Sequence, residues 1–346
     1  PYKKEPKLMR IRPVRPEDHP QLLELAKEAG IGMLSLPPDP AALEKKIDHS
    51  VRSFAGNPPR PNEERFLFVM EDTETGKLAG STGIISHVGL YRPFYTYKLS
   101  TIVQASRDLD IYSEQKVLHM VNDYTGVSEI GSLFLSPAYR KDGLGRLLSR
   151  CRYLLVAEYP DIFSDIVIAE IRGISDENGD APFYDHLARH FFHMSFAEAD
   201  MISATRGNQF IADLMPKYPI YVNLLPEEAQ AAIGAPLPAS APAMQLLIRE
   251  GFRYEGYVDV FDGGPTMQAQ TQNIRAIAQS QKAKVTSIAD HSEDGPPFMI
   301  CNTKLDQFII CRDALKVLPD NTAVITRATA EKLEIGEGDD IRFTPT

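Results

Sequence analysis

The sequence predicts a mixed α/β fold of the α+β class, a sheet flanked by helices, with a small β barrel or sandwich at its C-terminal end. Three observations carry this expectation. Residues 130–171 run strand, glycine-bearing turn, long helix, buried strand, the order of a parallel pair with a crossover helix. Two apolar runs at 66–70 and 78–85 flank a turn ending in Gly76, which reads as a β-hairpin. Beyond about residue 270 the chain changes to short strands joined by polar turns.

Taken in order, residues 1–8 are charged and set aside as an extension, and 9–14 alternate like a short strand. Pro16, Glu17 and Asp18 then open a helix in which Leu22, Leu23, Leu25 and Ala26 recur at helical spacing. Gly30 breaks it, and 30–38 reads as an ordered loop before a second helix at 41–54. Between residues 91 and 123 periodicity is weak; Tyr91, Phe94, Tyr95 and Tyr97 read first as a packed aromatic cluster and second as a ligand wall. Helical patterns return at 183–192, 208–214, 227–233 and 241–250, and a strand at 257–261 closes on Asp262, Gly263, Gly264 and Pro265. Short strands follow at 284–288, 298–301, 307–311, 323–326 and 340–343, with a helix near 329–333. The expected division is a main domain over 9–269 and a β-rich module over 270–346.

Composition narrows the function classes. Thirty-seven Lys and Arg stand against 47 Asp and Glu, and a net charge of −10 repels a phosphate backbone, so no nucleic-acid partner is expected. Three cysteines, without CxxC or Cys/His ligand spacing, fit a reducing, cytoplasmic address and no structural zinc. No apolar stretch approaches the ~20 residues of a bilayer span, so no membrane partner is expected either.

The sharpest motif begins with Leu133, Phe134 and Leu135, and continues through Arg140, Lys141, Gly143, Leu144, Gly145 and Arg146. A strand enters a glycine turn whose N–H groups become the first turn of a helix, a geometry that cradles a pyrophosphate. The dinucleotide GxGxxG reading fails because Leu148 occupies the third glycine position. The Arg140-x-x-Gly143-x-Gly145 pattern resembles the acyl-CoA signature of the GCN5-related N-acetyltransferase superfamily. That resemblance implies a signature strand splayed from its parallel neighbour, with main-chain groups in the gap holding the pantetheine arm and polarising the thioester.

Further runs narrow it: SLP at 35–37, FVMEDTETG at 68–76, PFY at 93–95, LMPK at 214–217, EGFR at 250–253 and FDGGPT at 261–266. From residue 9 onward the chain resembles the arginine N-succinyltransferase family. The resemblance implies succinyl transfer from succinyl-CoA, a co-substrate rather than a bound cofactor, to the α-amine of L-arginine, with ornithine accepted by some relatives. It opens the succinyl route of arginine breakdown, and the family's CoA-contacting leucine falls on Leu133. Another amine or acyl group is the nearest alternative.

One position departs from the family pattern. Its proton-donor His falls on Leu237, and leucine cannot exchange a proton. Either another group moves the proton, or the chain is a non-catalytic paralogous subunit. His190 is the leading substitute base and Glu129 the leading carboxylate. His186 and His190 are four apart, but no HExxH accompanies them and no metal is expected. A guanidinium seeks a planar carboxylate, for which Asp123, Glu129, Glu170, Asp259 and Asp262 are candidates, Glu170 and Asp259 being the two named for substrate. Arg172 and Lys217 are candidates for the succinyl carboxylate. Direct transfer is expected because no cysteine lies in the signature. A homo-oligomer, or pairing with a paralogous subunit, is the expected assembly.

Overall fold

The computed structural model describes residues 9–30, 33, 35–176, 180–290 and 296–346. The extension at 1–8 lies outside them, as does part of the expected loop at 30–38. Strand β1 (Met9–Pro13) leads into helix α1 (His19–Ala29), whose Leu22, Leu25 and Ala26 are buried. Helix α2 (Pro40–Phe54) starts where the Asp39 carboxylate accepts from the Ala42 N–H at 2.7 Å, with Pro40 preset for a first helical turn. The glycine-turned hairpin is β2 (Arg65–Asp72) and β3 (Lys77–Ile85). Next come β4 (Thr96–Ser106) and β5 (Ile111–Val121), then β6 (Ser128–Leu135), helix α3 (Leu144–Glu158) and β7 (Ile166–Glu170).

The hairpin β4–β5 corrects the weak reading of 91–123. Its strands are half-exposed, so they lack the apolar alternation that marks a core strand. The aromatic residues at its start divide between packing and a cavity wall. The Phe94 ring packs edge-on to Tyr124 and that of Tyr97 to Phe183, while Tyr91 and Phe94 also line a cavity.

After β7, short helices cover residues 182–232, including one at Phe196–Arg206 that the sequence pattern does not announce. That helix is capped by reciprocal hydrogen bonds between Ser195 and Glu198. Strand β8 (Ile220–Tyr221) pairs with the edge of β5, and the helix Ala241–Glu250 precedes β9 (Arg253–Val258). The expected strand at 257–261 is displaced. The Asp259 carboxylate accepts from the Phe261 and Asp262 N–H groups at 2.7 and 2.9 Å, ending β9 at Val258 in a tight turn before β10 (Pro265–Gln270).

The last five strands are β11 (Gln281–Ala289), β12 (Pro297–Asn302), β13 (Ile310–Val317), β14 (Thr322–Thr326) and β15 (Asp340–Pro345). Pairing runs β12-β15-β11-β14-β13, and β12 also pairs with β13, closing a barrel. The barrel joins the main sheet: β13 pairs with β1, and the order continues β1-β2-β3-β6-β7-β10-β9-β4-β5-β8. Met299, Cys301 and Phe308 share one core with Phe68, Leu154 and Met267. Among the described residues, no helix is long and apolar enough to cross a membrane.

Candidate active site

The chemistry-bearing geometry begins at β6. It pairs in parallel with β7 only at Ser128↔Val167 and Glu129↔Ile168, after which the two strands diverge. Against β3 on its other side, β6 carries a bulge between the Ser81↔Phe134 and Gly83↔Gly131 pairs. There Ser132 holds φ 53°, a conformation costly for a non-glycine residue. The strain is held by three hydrogen bonds: Ser132 N–H and Oγ donate to Ser35 Oγ and carbonyl at 2.9 and 2.7 Å, and Ser81 Oγ donates to the Ser132 carbonyl at 2.9 Å.

Beyond β6, Arg140 Nε donates to the Leu135 carbonyl at 2.9 Å, folding the turn back on the strand end. Gly143, at φ 74°, is the N-cap residue of α3, where a side chain would be strained. Its backbone opens the first turn at Leu144 and Gly145, and the exposed side chains of Lys141 and Arg146 flank it. Anions bind such a helix start through free N–H groups and the macrodipole. The barrel also touches this turn, since Arg312 Nη1 donates to the Asp142 carbonyl at 2.7 Å.

The gap between β6 and β7 opens into a cavity of about 430 Å³. Its walls are electrically divided. Lys46 from α2 and Arg65 from the start of β2 lie with Glu129 around one recess. Glu170, Asp200, Asp259 and Asp262 supply carboxylates elsewhere in the lining, with Arg172 among them. Under β6 the buried Arg152 guanidinium donates to the Gly83 and Gly131 carbonyls at 3.4 and 3.3 Å.

Burial governs the ionisation of these groups. It raises the Glu170 carboxyl well above its ordinary range, and the neighbouring Asp259, Glu129 and Asp262 charges add to that. Burial and Asp259 push Asp262 up to about 8, although the Gly264 and Gly173 N–H groups favour its ionised form. Burial also raises Asp259 and Glu129, the latter against the pull of Arg65 and Lys46. Lys46 moves the other way, to about 8, through burial and the nearby Arg65 charge.

The turn that carries Asp259 and Asp262 is tightly built. A Cβ on Gly264 would lie 2.2 Å from the Ile171 carbonyl oxygen and 2.5 Å from Gly173 N. Gly264→Ala is expected to destabilise the fold by about 1–3 kcal/mol. A urea midpoint equal to that of the parent chain would show instead that the backbone yields.

The structure gathers some candidate residues and separates others. Glu129, Leu133, Glu170, Asp259 and Asp262 line the cavity, whereas Asp123 lies outside it and accepts from Tyr257 Oη at 2.9 Å. His190 is exposed on the short helix Arg189–Phe192 and is not among the lining residues; His186 Nε2 lies 2.6 Å from Glu228. Leu237 is not among the lining residues, and its N–H donates to the carbonyl of Arg172, which is, at 2.8 Å. Arg172 lies among carboxylates, and Lys217 is exposed outside the cavity.

Lys46, Arg65 and Arg152 were not legible as site residues, though each carries a signal. Lys46 is three residues after Leu43 and four before Ser50, on the buried face of α2. Arg65 alternates with the buried Leu67 and Val69 on one face of β2. Arg152 lies within the uniformly buried stretch of α3.

A family model for the arginine N-succinyltransferase beta subunit matches residues 9–276, and one for that subunit's C-terminal domain matches 281–345. The arginine N-succinyltransferase of Yersinia enterocolitica is 41% identical over 326 residues, which cover 92% of this chain and 94% of that protein. Arginine N-succinyltransferase subunit beta of Pseudomonas aeruginosa is 41% identical, covering 97% of this chain and 98% of its own length. The solved arginine/ornithine succinyltransferase subunit AI from Pseudomonas aeruginosa superposes with a TM-score of 0.88 at 36% identity, over 98% of this chain and 99% of that one. With matches that span both the main sheet and the barrel, this chain belongs to the arginine N-succinyltransferase family.

Proposed function

We propose that the chain transfers succinyl from succinyl-CoA to the α-amine of L-arginine by direct attack in a ternary complex. The observation that carries this reading is the divergence of β6 from β7 over a cavity holding both cations and carboxylates. The diphosphate of CoA rests on the N–H groups opening α3, and its pantetheine arm runs up the gap along Leu133. The thioester carbonyl then faces the free edge of β6, where strand N–H groups receive the developing oxyanion.

The carboxylates on the acceptor side offer planar partners to a guanidinium. Glu170 takes the proton from the attacking ammonium, and Leu237 exchanges none. Burial and the neighbouring carboxyls raise the affinity of Glu170 for a proton, which strengthens it as a base once ionised. The amine nitrogen forms a bond to the acyl carbon, the tetrahedral intermediate collapses, and the C–S bond breaks as the nitrogen's surplus proton passes to the departing thiolate. Direct transfer is favoured by the chain's thiols. All three cysteines are buried, and burial pushes Cys151 up to about 12, leaving no available thiolate near the gap.

Leu237 favours a second reading, a CoA-binding subunit that supports an active paralogous partner rather than turning over itself. Thiol release from succinyl-CoA, with and without arginine, separates the two. Arginine-dependent release from the pure chain is expected; its absence across pH 7 to 10 would favour the supporting role. Leu237→His should then change the rate little if Glu170 suffices. A large gain would show that the substitution had disabled the site.

A further inference from the structure

We infer that the recess beside the β6 bulge recognises the free carboxylate of a dicarboxylic acyl donor, with Lys46 and Arg65 as its cationic partners. The site would thereby select succinyl-CoA over a neutral four-carbon acyl-CoA. This rests on the transfer reaction proposed above and adds the residues that read the acyl group.

The recess is a side cavity of about 40 Å³ that shares Lys46, Arg65, Glu129, Gly131 and Ser132 with the main cavity. Its cations are under-paired. Among the described residues Lys46 makes no hydrogen bond and no close ion pair, and the one opposite charge acting on it is that of Glu129. Arg65 Nη2 pairs with Glu63, but its Nε is buried without a partner. Arg152, 2% exposed and lining the main cavity, donates to the Ser149, Gly83 and Gly131 carbonyls and lies over the Tyr153 ring, with no carboxylate partner among the described residues. Buried charge without a counter-ion is costly, and an arriving carboxylate relieves it.

Glu129 is the one acidic side chain in the recess lining. It makes no hydrogen bond among the described residues, and burial favours its protonated form. As a carboxylic acid it can donate to an incoming carboxylate rather than compete with it.

The length of the acyl chain agrees. Two methylenes place the far carboxylate about 4–5 Å beyond the thioester carbon. A strand rises roughly 3.3 Å per residue, so this is one to two residues along β6. Counting back from Leu133 reaches Ser132 and Gly131, both in the recess. A neutral acyl chain of equal length would leave the cations unpaired.

Titration calorimetry with succinyl-CoA and butyryl-CoA tests this without requiring turnover. The parent chain is expected to bind succinyl-CoA roughly ten- to a hundredfold more tightly, the worth of a charge-assisted hydrogen bond. Lys46→Met should erase most of that ratio while leaving butyryl-CoA affinity unchanged, and Lys46→Arg should retain it. Equal affinities in the parent chain, including no binding of either thioester, would overturn the inference, as would a ratio that survives Lys46→Met. Arginine-dependent thiol release by the parent chain keeps the two proposals apart. Release without thioester discrimination sinks only the recess, whereas discrimination without release sinks only the transfer reaction.

Discussion

Glu170→Gln is expected to lower kcat by about a hundred- to ten-thousandfold, the range for loss of a positioned general base. The amide keeps the shape of the side chain and its place on β7, so the KM for succinyl-CoA should change little. The pH profile is the sharper readout. Because burial and three neighbouring carboxyls raise Glu170 well above its ordinary range, the basic form is populated only as pH rises through that raised value. The parent rate should therefore climb with pH along a limb that the glutamine variant lacks. A variant that keeps the limb and loses less than tenfold would place the proton acceptor elsewhere, with Asp262 next in line.

The largest effect on stability is expected from Arg12→Ala. The Arg12 side chain is 4% exposed, and its guanidinium bonds Asp18 at 2.7 and 2.9 Å and Glu71 at two points, each 3.1 Å. Truncation leaves Asp18 buried without its cation, which costs about 3–5 kcal/mol for a broken buried pair. Burial alone would raise Glu71, yet hydrogen bonds from Arg12 and Arg10 outweigh it and hold the carboxyl at about 2. Against an ordinary value of 4.5 this contribution is complete above that pH and is lost as pH falls toward 2. Denaturant unfolding between pH 7 and 3 should show the parent chain losing stability steeply and the variant more shallowly. Parallel curves would mean that Glu71 draws its low pKa from Arg10 alone.

What could be read from the residue order was what local chemistry dictates. The turn from Arg140 to Arg146 announced itself because a glycine cap and flanking cations are contiguous, and the barrel because short strands and polar turns recur. The bulge at Ser132 could not be read, since its strain is held by Ser35 and Ser81, distant in sequence and adjacent only after folding. The cavity suffers the same limit in part: Glu170 stands out on a buried strand, but Lys46, Arg65 and Arg152 come from three other elements, and each alone resembles a solvated charge. His190 shows the converse. Its spacing from His186 is conspicuous in the residue order, but its exposed place on a short helix leaves it outside the cavity lining. The hairpin β4–β5 escaped because half-exposed strands need no hydrophobic alternation.

The grip of Arg312 on the Asp142 carbonyl reaches into the order in which the protein is made. Synthesis proceeds from the N-terminus, so the helix start at Leu144 emerges well before the strand that steadies its turn. Residues 299–310 complete the core beneath that helix, and β13 completes the edge of β1. A nascent chain halted at residue 270 therefore holds the whole Arg140 to Arg146 turn while lacking its brace and part of the core beneath it. A chain ending there is expected to hold that turn more loosely than the full one.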